Sequence, residues 1–188
     1  MRYFRKITGE QLYLSPFDAD DTEIYTKWAE WMNDRTVADN FGEYQNLVST
    51  ANAKKILGEL KGYRFAIILL DNDVLIGHVS LHDINHLCRN AFLGIFIGEE
   101  KYRGKGYGSE AIRLVLDYGF NTLNLHNIML SVHADNNAAI FCYKKAGFQE
   151  AGRRREWVFK NGKYIDKIYM DMLAREFKEQ GDEGLKCE

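Results

Sequence analysis

Three glycines alternate with other residues between a predicted strand and a predicted helix. They lie in the stretch Arg103-Gly104-Lys105-Gly106-Tyr107-Gly108, which follows the apolar run Leu93 to Ile97 and precedes a helical segment from Ser109. Glycine lets the backbone turn tightly and approach a ligand closely, and the first N–H groups of a helix attract anions. The order strand, glycine turn, helix therefore predicts an anion site, with a phosphate-bearing ligand as the simplest occupant.

The spacing of these glycines excludes two common kinds of phosphate site. A Walker loop requires a Lys-Ser or Lys-Thr pair after its last glycine, and no such pair follows Gly108. The dinucleotide fingerprint G-x-G-x-x-G also fails, because Gly104, Gly106 and Gly108 recur at every second position. The pattern that remains is R-x-x-G-x-G, formed by Arg103, Gly106 and Gly108.

Length and composition indicate one domain over residues 1–188, large enough to bury a core without disulfides. The formal net charge is −2, so no basic surface for nucleic acid or for an anionic membrane is predicted. Cys88, Cys142 and Cys187 are odd in number and lack metal-ligand spacing, so we expect reduced thiols and no metal. The N-terminus is polar, unlike a signal peptide, and no apolar run reaches the roughly 20 residues of a membrane helix. We therefore expect a cytoplasmic protein without nucleic-acid or membrane partners.

Hydrophobic periodicity predicts an α+β protein with a mixed central sheet. The predicted helices are residues 18–32, Ser49–Leu60, Ser109–Leu123 and Asn137–Ala146. The predicted strands are Gln11–Pro16, Tyr63–Leu70, Val74–Ile84, Ala91–Ile97, Ile128–Val132, Phe148–Phe159 and Tyr164–Leu173. Asn33–Asn46 is predicted to be a polar, turn-rich connection, and Asn161-Gly162 is predicted to be a hairpin turn.

A second motif, N-x-x-A-I-x-x-Y-x-x-x-G-F, runs from Asn136 to Phe148. Together with the glycine motif it resembles the GNAT family of acetyltransferases, and the order of elements is similar from about residue 10 to residue 174. The resemblance implies a mostly antiparallel sheet that splays between its fourth and fifth strands, flanked by about four helices, with residues 175–188 as a charged tail. It also implies acetyl-CoA as co-substrate, no metal, and acetyl transfer to a primary amine by direct attack in a ternary complex.

The resemblance assigns residues to the cofactor. Backbone amides of the glycine loop would hold the pyrophosphate, and these belong to Arg103, Gly104, Lys105, Gly106, Tyr107, Gly108 and Ser109. Backbone groups of Phe96, Ile97 and Gly98 would pair with the pantetheine arm. Asn136 would contact the cofactor, cap the following helix, or do both. Tyr143 would be the general acid that protonates the departing thiolate, because a phenol with a pKa of about 10 is protonated at neutral pH.

The general base and the acceptor pocket are less closely specified. Relatives often carry a glutamate in an Ala-Glu-x-Gly pattern on the fourth strand, but this chain has Ala91-Phe92-Leu93-Gly94. His82 and Asp83 are candidate bases, acting directly or through water, and His86 and His133 are further candidates. An amine that arrives neutral would need only a chain of waters. The residues expected in the acceptor pocket are Trp28, Phe41, Glu43 and Trp157.

Two stretches, Asp83–His86 and Leu116–Leu125, resemble the branch that includes ribosomal-protein N-terminal and spermidine acetyltransferases. Both are framework, so the acceptor stays open between a polyamine, an amino-sugar nucleotide and a protein N-terminus. Two other classes also stay open, namely a catalytically silent acyl-CoA-binding sensor or scaffold and a phosphate-binding domain for nucleotides. Pairing of the predicted hairpin with a second copy would make the protein a homo-oligomer.

Overall fold

The computed structural model describes residues 3–18, 20–41, 47–59 and 62–178. The strands and helices of this part of the chain are β1 (Ile7–Thr8), β2 (Leu12–Pro16), α1 (Thr22–Asn33), α2 (Arg35–Phe41), α3 (Thr50–Glu59), β3 (Gly62–Leu69), β4 (Leu75–Asn85), β5 (Asn90–Ile97), α4 (Tyr107–Asp117), β6 (Asn127–His133), α5 (Asn137–Lys145), β7 (Gln149–Lys160) and β8 (Lys163–Leu173). A 3-10 turn precedes the glycine loop, and a π-helical turn extends α4. None of the described helices is long and apolar enough to cross a membrane.

The eight strands form one sheet in the order β1-β2-β3-β4-β5-β6-β8-β7. Every neighbouring pair is antiparallel except β5 and β6, which run parallel. Their pairing stops after three positions, at Phe92 opposite Met129, although both strands continue beyond it. The predicted α+β class and the predicted splay of the sheet are therefore both confirmed.

Side chains alternate along β4 and divide the molecule into two layers. Val79 and Leu81 are buried in the larger apolar cluster, to which α4 contributes most of the helical residues. His78, Ser80 and His82 project to the opposite face, because successive residues of a strand point to opposite sides. That second face carries the cluster built with α1 and α3, and it also carries the polar side chains of the candidate site.

The helix α2 corrects the prediction that Asn33–Asn46 is a turn-rich connection. Asp34 ends α1 and starts α2, since its carboxylate accepts a hydrogen bond from Thr36 N at 2.7 Å. Val37 and Ala38 are both buried, and they fix the short helix against the rest of the molecule. Its remaining residues are polar apart from Phe41, and seven residues are too few for periodicity to reveal a helix.

The C-terminal hairpin agrees with the prediction from Asn161-Gly162. Both residues have positive φ, at 53° and 76°, and Lys160 pairs with Lys163 across the turn. Residues 174–178 are helical, and Phe177 packs on Phe120 with the ring centroids 5.4 Å apart. The first residues of the predicted charged tail are thus attached to the core, and residues 179–188 lie outside the described residues.

Candidate active site

A cavity of about 990 Å³ occupies the gap where β5 and β6 separate. Leu93 to Ile97 line it on one side, and Ser131 to His133 line it on the other. Because no described strand pairs with β5 on this side beyond Phe92, its edge there offers backbone N–H and C=O groups to a ligand. The cavity has the size of a cofactor site, and one wall can form backbone hydrogen bonds with an extended ligand.

The glycine loop closes one end of this cavity. Gly104 and Gly106 have φ values of 72° and 89°, which glycine adopts without the strain that a Cβ would cause. Gly106 is the residue before α4, and its carbonyl accepts the first helical hydrogen bond from Glu110 N at 3.0 Å. The N–H groups at the start of α4 therefore remain available for an anion. Five loop residues line the cavity, namely Arg103, Gly104, Gly106, Gly108 and Ser109.

Arg103 turns its side chain away from the loop and towards the end of β5. Its guanidinium donates to the carbonyl of Ile97 at 3.1 Å and to the carbonyl of Gly98 at 2.8 Å. A longer contact of 3.4 Å reaches Thr36 Oγ1 on α2. Arg103 thus joins the loop to the strand end, which fixes the position of the helix N-terminus relative to the gap. Lys105 is exposed and does not line the cavity.

The strand residues predicted to bind pantetheine lie at the gap. Phe96 and Ile97 line the cavity, and they pair on the other side with His78 and Gly77 of β4. Gly98 continues this pairing, since its N–H donates to the carbonyl of Ile76 at 2.9 Å. The strand end is therefore held from the β4 side, and its opposite edge is left for a ligand.

Helix α5 brings Asn136 and Tyr143 to the cavity. The Asn136 side chain caps this helix by accepting a hydrogen bond from Ala139 N at 3.2 Å. Tyr143 is buried against Phe148, and its hydroxyl makes no hydrogen bond with another described residue. Burial raises the pKa of the Tyr143 phenol above its usual value. The side chain is consequently a protonated donor at any physiological pH, and no described residue accepts a hydrogen bond from it.

Of the candidate bases, His82 has the most suitable position. It lies directly across from Phe92, the second residue of the stretch Ala91-Phe92-Leu93-Gly94. Burial lowers the pKa of His82, so its imidazole is neutral near pH 7 and can accept a proton. Its Nδ1 lies 3.5 Å from Ser80 Oγ, and its Nε2 lies 4.0 Å from Asp83 Oδ2.

The other candidate bases differ in exposure. Asp83 lines the cavity, but its side chain is 78% exposed. His133 is buried and lines the cavity, and burial followed by the positive charge of Lys160 lowers its pKa. His86 is exposed and does not line the cavity.

The residues expected in the acceptor pocket are only partly brought together. Trp28 on α1 is buried and lines the cavity. Trp157 lies outside the cavity with 58% of its surface exposed, and its ring lies under the guanidinium of Arg154 at 4.7 Å. Phe41 ends α2, but its side chain, like the whole of Glu43, lies outside the described residues.

The cavity is also lined by residues that were not singled out from the sequence, among them Arg64, His78 and Lys167. His78 is buried between Phe17 and Phe96, and burial lowers its pKa to about 3. Neither ring nitrogen of His78 has a hydrogen-bond partner among the described residues. The polar residues at 78, 80 and 82, alternating with apolar residues in a strand, are the signal that points to this face.

Three comparisons with known proteins agree with this geometry. A family model described as an acetyltransferase (GNAT) domain matches residues 11–149. The spermidine N(1)-acetyltransferase of Escherichia coli is 40% identical over 101 residues, which are 54% of this chain and 54% of that protein. The chain thus spans about half the length of that relative. The probable N-acetyltransferase YjcK of Bacillus subtilis is 30% identical over 181 residues, which cover 89% of this chain and 96% of that protein.

Solved structures give the same result. The crystal structure of the spermidine N-acetyltransferase from Vibrio cholerae in complex with CoA and spermine superimposes with a TM-score of 0.81 and 29% sequence identity. The superposition covers 90% of this chain and 99% of the other. The family match covers more than half of the sequence and includes the glycine loop, the splayed strands and Tyr143. The chain therefore belongs to the GNAT acetyltransferase family.

Proposed function

We propose that this protein is an N-acetyltransferase that moves an acetyl group from acetyl-CoA to a primary amine in a ternary complex. The observation that carries the proposal is the gap between β5 and β6, which is bounded at one end by the glycine loop and lined by Tyr143. Membership of the GNAT family and the CoA present in the structure of the Vibrio cholerae relative support acetyl-CoA as the donor.

Different residues of the site would bind different parts of the cofactor. The N–H groups at the start of α4 would hold the pyrophosphate, and Gly104 and Gly106 give the loop the shape that this requires. The open edge of β5 near Phe96 and Ile97 would pair with the amides of the pantetheine arm as an added strand would. A backbone N–H at this edge would then stabilise the oxyanion that forms on the thioester carbonyl.

Acetyl transfer needs a proton taken at the amine and a proton given at the sulfur. The amine nitrogen forms a bond to the acetyl carbon, and the carbon–sulfur bond then breaks. His82, neutral at pH 7, would accept the proton that the amine loses, directly or through a water. Tyr143 would donate its proton to the thiolate that leaves and would regain it from solvent. Acetyl-CoA supplies the activated acetyl group, and the protein positions it and moves the protons.

The test is thiol release from acetyl-CoA with polyamines, amino-sugar nucleotides and peptides with free N-termini as acceptors. We expect turnover with at least one of these classes and none without an amine. Tight CoA binding without turnover on any amine would contradict the proposal. It would favour a catalytically silent acyl-CoA-binding sensor or scaffold. Greater thermal stabilisation by ATP than by CoA would favour a nucleotide site instead.

We also propose that the chain forms homo-oligomers through the tip of the β7–β8 hairpin. Phe159 and Tyr164 pack on each other at 5.1 Å, and each is 66% exposed. Paired exposed rings beside a sheet edge are typical of a surface that a second copy covers. A dodecameric structure of the Vibrio cholerae relative supports this proposal. Light scattering on the protein should give a multimer, and a monomer at micromolar concentration would refute it.

A further inference from the structure

Lys167, which lines the cavity, lies directly opposite Arg154, which is exposed and is not among the lining residues. Lys167 of β8 is in register with Arg154 of β7 on one side and with His133 of β6 on the other. Both Lys167 and His133 line the cavity. Like charges directly opposite each other in an antiparallel pair destabilise the sheet. The β8 wall of the cavity therefore carries a repulsion that an anion placed between the two side chains would relieve.

Neither cation has an acidic partner among the described residues. Within the part of the chain that the structure describes, no ion pair includes Lys167 or Arg154. The guanidinium of Arg154 instead lies over the rings of Trp157 and Tyr169, at 4.7 and 5.2 Å from their centroids. Stacking on two rings limits the motion of the guanidinium while its N–H groups stay free to bind a planar anion.

The neighbouring carboxylates are already engaged elsewhere. Asp166, which precedes Lys167, pairs with Arg153 at 3.3 Å, and successive residues of a strand face opposite sides of the sheet. Asp135, at the end of β6, pairs with Lys160 at 3.3 Å. The positive charge of Lys167 and Arg154 is therefore not cancelled by either of these two acids.

The other described lining residues also carry more positive than negative charge. Arg64 lines the wall formed by β3, and its pKa is lowered because the guanidinium is partly buried. Among the described lining residues, Asp83 is the only aspartate or glutamate, and it is largely exposed. A second or third ammonium group of a polyamine would thus meet cations across the described walls, whereas a carboxylate or phosphate would be attracted.

We propose that the acceptor is a primary amine that also carries a carboxylate or a phosphate, and that Lys167 and Arg154 bind this anionic group. This inference rests on the proposed acetyltransferase function and specifies its substrate class. The anion would be held at the β7–β8 side of the cavity, and the amine would extend towards His82. Polyamines are the poorer acceptors of this site, although two relatives at 40% and 41% identity are spermidine acetyltransferases.

The first test compares amines that differ in one group. We would measure kcat/KM for 4-aminobutanoate against 1,4-diaminobutane, for 2-aminoethyl phosphate against ethanolamine, and for spermidine. Each anionic amine should exceed its matched partner by about tenfold or more, and added salt should reduce the difference. The two anionic arms distinguish a carboxylate from a phosphate. A higher kcat/KM for 1,4-diaminobutane or spermidine than for both anionic amines would overturn the inference and leave the acetyltransferase function standing.

The second test uses variants of the cation. Lys167→Met should raise KM for the preferred anionic amine about 10- to 100-fold and leave KM for acetyl-CoA unchanged, and Lys167→Arg should retain most of the affinity. Lys54→Met is the control, because Lys54 is an exposed lysine that lies neither in the cavity lining nor at the hairpin tip. If Lys167→Met raises KM for acetyl-CoA instead, Lys167 binds the cofactor and the inference is wrong. Absence of thiol release with every amine would refute the proposed function itself.

Discussion

Replacing Tyr143 by phenylalanine is the sharpest test of the proposed chemistry, because it removes one oxygen and little else. The ring packs edge-on against Phe148 with centroids 6.1 Å apart, and phenylalanine keeps this contact. The hydroxyl has no hydrogen-bond partner among the described residues, so its loss should change the free energy of unfolding by less than about 1 kcal/mol. Thermal melting of the variant should therefore stay close to that of the wild type.

The expected kinetic effect follows from the acidity of the phenol. General acids contribute a factor of about 10² to 10⁴, and a thiol has a pKa of about 8.5 against about 10 for an ordinary phenol. Because burial raises the pKa of Tyr143 further, the phenol is a weak acid for this leaving group, and the lower end of that range applies. We expect kcat to fall about 10²-fold, which corresponds to about 2.7 kcal/mol of lost transition-state stabilisation. The affinity for CoA, measured by calorimetry, should not change.

The pH dependence gives an independent check on the same residue. An acid catalyst must be protonated, and a raised pKa moves the loss of the protonated form to higher pH. Wild-type kcat should therefore show no decline attributable to Tyr143 between pH 7 and about pH 10. Equal kcat for Tyr143→Phe and wild type, with chemistry shown to be rate-limiting, would remove Tyr143 from the role of general acid.

Three further variants test other parts of the structure. Gly106→Ala places a Cβ at φ 89°, which costs about 1–2 kcal/mol, so calorimetry should show CoA binding weakened about tenfold. His82→Gln should lower kcat/KM and abolish its acid limb, which in the wild type lies below about pH 6.5 because burial lowers the pKa of this base. Glu110→Ala leaves the N–H groups of Glu10 and Gln11 without their acceptor, so urea unfolding should show a loss of about 2–4 kcal/mol, and Glu110→Gln should lose less.

Local motifs predicted the parts of the fold that depend on neighbouring residues. The glycine loop, the capped start of α5 and the Asn161-Gly162 turn each require particular residue types at fixed spacing, and all three are present. Helix α2 was missed because it is only seven residues long and, of its described side chains, only Val37 and Ala38 are buried and apolar. Its existence depends on packing with distant elements, which a seven-residue window does not contain.

Which residues stand next to each other in the site depends on the register between strands that are far apart in sequence. That Lys167 stands opposite both His133 and Arg154 follows from the pairing of β6, β7 and β8, and periodicity gives no register across strands. Trp157 was expected in the acceptor pocket, but an irregularity in the pairing between Arg154 and Val158 accompanies its position outside the cavity. The direction of the Arg103 guanidinium likewise depends on carbonyls that only the folded strand end presents.

The early end of the β5–β6 pairing makes the native sheet incomplete when the protein is alone. Amides on the open edge of β5 beyond Phe92 have no strand to protect them, so their hydrogens should exchange with solvent through local opening rather than global unfolding. A cofactor that supplies the missing hydrogen bonds would stabilise this region as an added strand would, and the stability of the region would rise with the cofactor concentration. The protein's resistance to proteolysis would then rise and fall with the supply of its own donor substrate.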